Sequence, residues 1–220
     1  MNERQAAVAA LVAEGRRFIA GLATEREAAM GVVARMDAFD LSAGKVALPE
    51  PQETPVVLAH LDAALALASA GPASAVAAAI ARARPCLHWI TYDAYPAAIG
   101  PRFPTHHAFS GLIGEHRMIP ADDFAFGLFL IAPRTLYRDH RHPAPELYVP
   151  LTGPTRWRFG PGSGWQTRQA GEAVWNDPHA VHATLVEDAP FLCFYAWTRD
   201  IARPAEVVAA DDWDAIEARL

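Results

Sequence analysis

The sequence predicts a mainly β fold, a sandwich or barrel of short strands, with an N-terminal α-helical extension. Three observations lead there. From about residue 3 to residue 36 the chain is rich in Ala, Glu and Arg and free of proline, a composition that suits one long helix or two shorter ones. After Pro85 the texture changes to short segments of aromatic and β-branched residues, divided by Gly, Pro, Asn and Asp. So many short strand signals at regular spacing favour a sandwich or barrel over a parallel α/β sheet.

The elements follow in order. A loop rich in Gly and Pro occupies residues 42–54. Pro55 then fits the first turn of a second helical stretch with Thr54 as its N-cap, running through His60 and Asp62 to about Ala70, where Gly71 and Pro72 end it. A third stretch, 73–84, stops at Pro85. These two helices are alanine-rich enough to pack closely on each other, on a sheet or on a partner chain. Strands are expected at 87–92, 107–113, 124–131, 135–142, 146–151, 155–159, 165–169, 173–176, 181–186 and 191–198, and a short helix at 211–220. The domain plan is therefore a helical extension over 1–85, a β-barrel over 86–200 and a tail over 201–220.

Composition narrows the function. The 220 residues suffice for one substantial core. A net charge of −6 without clustered Lys and Arg argues against nucleic acid. No segment approaches the roughly 20 apolar residues that cross a bilayer, and the N-terminus lacks the pattern of a secretory signal, so a cytoplasmic protein without a membrane partner is expected. Cys86 and Cys193 stand far apart in apolar surroundings and read as buried thiols. A small-molecule ligand is the natural partner, and the chain is expected to be a monomer or homodimer.

The densest chemistry lies at Tyr137, His140, His142, Glu146 and Tyr148, answered later by His182. His140, His142, Glu146 and Tyr148 differ by even numbers, so in an extended segment they project to one face. Two imidazoles and a carboxylate on one face form a metal half-site. A third imidazole makes an N/O donor set suited to one divalent transition metal, Fe, Mn, Zn, Co or Ni, and an incomplete protein shell leaves positions for a substrate.

The spacing H-x-H-x3-E-x6-G, from His140 to Gly153, with His182 eleven residues after Gly171, resembles the paired motifs of the cupin superfamily. The resemblance implies a double-stranded β-helix, the cupin jelly-roll barrel, with His140, His142, Glu146 and His182 as the metal ligands. Arg134 and His179 stand where those motifs carry glycine, and Val186 where the second carries asparagine. Within the superfamily, the run from Thr135 to Tyr148, the stretch His60 to Leu67, Ala108-Phe109 with Leu112-Ile113-Gly114, and Tyr195-Ala196-Trp197 are similar to the cupin-type dimethylsulfoniopropionate lyases.

That likeness implies a metal-dependent carbon–sulfur lyase, which splits its zwitterionic substrate into dimethyl sulfide and acrylate by β-elimination. Tyr148, two positions beyond Glu146 on the inward face, is the expected base, and Tyr137 by position the second active-site tyrosine. The sulfonium is a fixed cation best met by aromatic faces. Trp197 is the residue the family suggests, with Trp89 and Tyr92 as candidates from the aromatic segment 87–92. His106, His107 and His179 read as lining the pocket mouth or as surface histidines. Two other functions fit the metal site: another metal-dependent cupin enzyme, an oxygenase or isomerase acting on a small carboxylate, and a non-catalytic ligand-binding cupin.

Overall fold

A computed structural model of the chain describes residues 2–220. The proline-free N-terminal region forms two helices, α1 (Glu3–Ala20) and α2 (Arg26–Asp37). Helix α1 starts from a capping box in which the Asn2 side chain accepts from Arg4 N–H and Gln5 Oε1 accepts from Asn2 N–H. Helix α3 (Pro55–Ser69) begins at Pro55, with Thr54 at the cap position but its Oγ1 buried without a partner. Helix α4 (Ser74–Ala83) follows. No helix among the described residues is long and apolar enough to cross a membrane.

Ten strands build two five-stranded antiparallel sheets. In chain order they are β1 (His107–Ile113), β2 (Ala125–Ile131), β3 (Thr135–Arg141), β4 (Glu146–Pro150), β5 (Thr155–Arg158), β6 (Gln166–Arg168), β7 (Val174–Asn176), β8 (His182–Val186), β9 (Phe191–Trp197) and β10 (Glu206–Val207). One sheet runs β1-β2-β9-β4-β7 and the other β10-β3-β8-β5-β6. This is the mainly β jelly roll of the cupin type, with the helices at its N-terminal end.

The first sheet is buried on both faces, which explains why β2 is almost unbroken apolar sequence. Phe126, Leu128 and Leu130 face the helices, and Phe129 and Ile131 face the barrel interior. Of the two alanine-rich helices, α3 docks on β1, β2 and β9 of its own barrel, while α4 packs on α1 and α3; α2 lies against β4. Small residues allow this close approach. A Cβ on Gly15 of α1 would stand 2.9 Å from the Phe194 ring of β9.

The expected strand at 87–92 does not form. Ile90 exchanges both backbone hydrogen bonds with Phe109, but the Tyr92 N–H turns to the His107 ring instead of a carbonyl. The tail supplies an unexpected strand, β10, which pairs with β3 through Glu206↔Arg141 and Val207↔His140. Arg134 and His179 both adopt left-handed backbone, at φ 58° and 61°. The turns that would favour glycine are therefore kept by non-glycine residues, at a cost of roughly 1–2 kcal/mol each.

Strand β3 carries a bulge. Tyr137 pairs with Thr184 and His140 with His182, so two residues on β3, Arg138 and Asp139, stand against one on β8, Ala183. The two bulged residues, Arg138 and Asp139, turn to the outer face, where the C-terminal helix α5 (Trp213–Glu217) covers the second sheet. Arg138 makes paired hydrogen bonds to Glu217 at 2.9 and 2.7 Å and lies over the Trp213 ring. Asp139, fully buried, accepts two hydrogen bonds from Arg158 and one from Trp213 Nε1.

Since Arg158 is also fully buried, Arg158→Met strands a buried carboxylate, and we expect a loss of about 3–5 kcal/mol in denaturant unfolding. Adding Asp139→Asn is expected to recover much of the loss. A loss in the single variant below ~1 kcal/mol would count against this account.

Candidate metal centre and active site

The bulge in β3 changes which side chains share the interior. By strict alternation Tyr137 and His140 would face opposite ways, but the extra residue puts both inside, with rings stacked at 3.8 Å. His142 follows at the end of β3, Glu146 opens β4, and His182 opens β8 opposite His140. All four are buried. One ring nitrogen of each of His140, His142 and His182 lies within 4.8 Å of those of the other two.

Each ring is held in the same way. The Nδ1–H groups of His140, His142 and His182 donate to the carbonyls of Arg138 (2.8 Å), Ala144 (2.8 Å) and Ala180 (3.0 Å). This fixes the tautomer that leaves Nε2 facing inward. His140 Nε2 and His182 Nε2 are buried and have no hydrogen-bond partner among the described residues. Glu146 Oε2 lies 3.0 Å from His142 Nε2 and 3.4 Å from His182 Nε2. Orphaned inward nitrogens beside a buried carboxylate are what a divalent ion would satisfy, so the donor set fits a metal.

The electrostatics agree. Burial raises the Glu146 carboxyl, but the charge and hydrogen bond of His142, with His182 nearby, outweigh burial and hold it well below the ordinary carboxylate range. Burial lowers His142, yet Glu146 raises it on balance. Burial and the neighbouring His182 hold His140 neutral, far below the usual imidazole range.

Above this centre lies a cavity of about 430 Å³. The chain has five tyrosines, and Tyr92, Tyr95, Tyr137, Tyr148 and Tyr195 all line it. Missing side chains make room. Gly127 stands opposite Tyr195, and a Cβ there would lie 3.0 Å from the Tyr195 ring. Trp197 also lines the cavity, donates from Nε1 to Glu146 Oε1 at 2.7 Å and packs on His142 at 4.5 Å. Tyr137 is clamped between Phe103 and His140, each 3.8 Å away, and its hydroxyl meets that of Tyr95 at 3.1 Å. Burial first, then the negative charge of Glu146, pushes the Tyr148 hydroxyl well above its ordinary value.

Trp89 stands apart from the other candidates. It is fully buried, packs in the core that includes the helices and does not line the cavity. Alternation explains this: Ile90 and Tyr92 of the same segment face the cavity, so the odd position faces away. His179 is exposed and His106 half-buried, and neither lines the cavity. His107 is enclosed in the wall, stacked on Phe103 at 4.4 Å. Tyr95 and Tyr195 were not anticipated as cavity residues. The signal available in the sequence was that every tyrosine falls between residues 92 and 195, within the β-rich part.

Fold and site together define a cupin-type barrel with a three-histidine, one-carboxylate centre beneath an aromatic cavity. The chain belongs to the dimethylsulfoniopropionate (DMSP) lyase family, whose model matches residues 32–193. It is 30% identical over 156 residues to DddL of Cereibacter sphaeroides, a protein provisionally named as a DMSP lyase. The match covers 67% of this chain but only 61% of that relative's length. Among solved structures, a chain from the crystal structures of the DMSP lyases RdDddP and RnDddQII has the same fold, with a TM-score of 0.68 and 16% identity. It covers 94% of this chain and 100% of the other, so the likeness takes in the helical layer. The DMSP lyase DddQ from Ruegeria pomeroyi DSS-3 aligns with a TM-score of 0.55 and 25% identity, over 81% of this chain and 95% of that one.

His107 gives this wall of the barrel a pH dependence. Its Nδ1–H donates to the Phe103 carbonyl at 2.7 Å and its Nε2 accepts from Tyr92 N–H at 3.2 Å, a pairing that requires the neutral ring. Burial lowers its pKa to about 4, against about 6.5 in the unfolded chain. Its stabilising contribution is thus complete above the unfolded value and is lost as pH falls toward the folded one. We expect the unfolding free energy that separates wild type from His107→Gln to shrink by roughly 2–3 kcal/mol between about pH 7.5 and about pH 4.5. A difference that stays constant with pH in urea titrations would contradict this.

Proposed function

We propose that this protein is a metal-dependent lyase that cleaves DMSP to dimethyl sulfide and acrylate by β-elimination. The observation that carries the reading is the meeting, in one barrel, of three inward-facing imidazoles, Glu146 and a cavity lined by all five tyrosines and Trp197. Membership of the DMSP lyase family and the likeness to DddQ support the choice of substrate.

In this reading His140, His142, Glu146 and His182 hold one divalent transition metal, Fe, Mn, Zn, Co or Ni. When bound, it acts as a Lewis acid on the substrate carboxylate, where negative charge develops. The proton leaves the carbon next to that carboxylate for the phenolate oxygen of deprotonated Tyr148, which becomes the neutral hydroxyl. Its bonding electrons form the new carbon–carbon double bond, the carbon–sulfur bond breaks, and sulfur leaves as neutral dimethyl sulfide, so no general acid is needed. Burial and Glu146 disfavour a charged Tyr148. Tyrosinate therefore forms only where a cation offsets that carboxylate, and once formed it is a strong base.

Tyr137, clamped by stacking and joined to Tyr95, is suited to positioning the substrate beside Tyr148. The faces of Trp197 and Tyr92 meet the sulfonium. Trp89, turned into the core, takes no part in this scheme.

Headspace detection of dimethyl sulfide from protein loaded in turn with each of the five metals, without oxygen, tests the reading. Product is expected with at least one metal, and none with any would defeat it in favour of a different cupin activity. Tyr148→Phe is expected to lower kcat by about 10²–10⁴-fold while metal content stays unchanged. Full turnover by that variant in its metal-loaded form would remove Tyr148 from its role.

A further inference from the structure

Strand β7 supplies a polar side chain that none of the roles above uses. Asn176 pairs directly with Glu146 across the β4–β7 ladder, and Glu146 pairs with Trp197 on its other side. Residues directly opposite on neighbouring strands project to the same face. Trp197, Glu146 and Asn176 therefore form one inward row, with the carboxylate in the middle. The neighbours of Asn176 agree: Val174 packs with Tyr148 and Trp157 in the barrel interior, while Trp175 packs on the other core and donates to Asp177.

Asn176 is 1% exposed, and both its Oδ1 and its Nδ2 are buried with no hydrogen-bond partner among the described residues. A buried amide with neither end satisfied is rare in native proteins and marks a place where a small polar partner belongs. The flanking residues differ in role. Trp197 reaches Glu146 directly at 2.7 Å and lines the cavity, whereas Asn176 lies on the side away from it and makes no direct hydrogen bond. A single water can bridge opposed side chains on adjacent strands that make no direct hydrogen bond.

We propose that Asn176 is a positioning residue of the metal centre, its amide holding a water against Glu146 that fixes the carboxylate in its coordinating orientation. The proposal rests on the reading of His140, His142, Glu146 and His182 as metal ligands. It places on the inner side of Glu146 the counterpart of the hydrogen bond that Trp197 supplies on the outer side. Outer partners of this kind govern metal affinity without touching the metal.

The test is titration of metal-free protein with Co²⁺, followed by visible absorption, for wild type and Asn176→Leu, together with melting of both metal-free proteins. Wild type is expected to bind one Co²⁺. Asn176→Leu is expected to bind on the order of 10–100-fold more weakly, while its metal-free form still melts cooperatively, because the amide has been replaced by an apolar side chain of similar size. Asn176→Val, whose branched side chain suits a strand, takes its place should the leucine variant fail to fold. A folded variant that binds Co²⁺ as tightly as wild type, with the same spectrum, overturns the role of Asn176 and leaves the metal site standing. A wild type that binds no Co²⁺ overturns both.

Discussion

The site depends on a repeated local constraint: each of the three inward imidazoles donates from Nδ1 to a carbonyl two residues away along the chain. A histidine with a free ring can rotate, flip or take up a proton at either nitrogen. One tied by Nδ1–H to its own backbone presents a single lone pair in a direction set by the strand. Three such rings on strand ends that converge leave their Nε2 atoms in a common space before any ligand arrives. The organising energy is thus supplied by secondary structure, and the site needs little rearrangement to bind a cation.

That arrangement requires the bulge in β3, and the bulge is secured from outside the barrel. Arg138 and Asp139, the two residues displaced to the outer face, are held by Glu217, Trp213 and Arg158. Asp139 and Arg158 are fully buried, so their ion pair is worth little as a net contribution to stability but costs heavily if one half is lost. Such pairs suit specificity: a one-residue slip of β3 would send Asp139 into the barrel and leave Arg158 with Asp212 as its remaining partner. The C-terminal helix therefore acts on the register of the strand that carries Tyr137 and His140, although no residue of that helix lines the cavity.

Much of this was legible in the sequence, and the illegible parts share a cause. Even spacing paired His140 with His142 and Glu146 with Tyr148, and alternation holds for Glu146 and Tyr148 within β4; the two pairs meet across the barrel because β3 and β4 belong to opposite sheets. Tyr137 breaks the parity, and only the family likeness pointed to it, since a bulge has no reliable local signature. Trp89 and Tyr92 were indistinguishable by composition, and the structure divides them by parity, one to the helices and one to the cavity. Asn176 offered no signal at all. Asn176 stands at the end of the strand expected at 173–176, and its meeting with Glu146 depends on which strands pair. The left-handed backbone at Arg134 and His179 shows the reverse, a turn retained although its usual residue is gone.

The carboxylate of Glu146 gives the interior its electrical character. After burial itself, its negative charge is among the effects that push up the Tyr137, Tyr148 and Tyr195 hydroxyls and the Cys193 thiol. An enclosed negative charge of this kind needs a positive partner. In the protein alone the nearest group is His142, whose Nε2 lies 3.0 Å from the carboxylate and whose pKa that carboxylate raises. A divalent cation in the same place offers twice the charge and does not leave as the pH rises, so metal and proton compete for one position and metal affinity weakens with acidity. The same exchange decides the state of the tyrosines, because every increment of positive charge at Glu146 removes part of what disfavours tyrosinate above it. Under the proposed mechanism barrel, ion and Tyr148 would act as one electrostatic unit, because the carboxylate that an ion would neutralise is also one of the charges that disfavour tyrosinate at Tyr148.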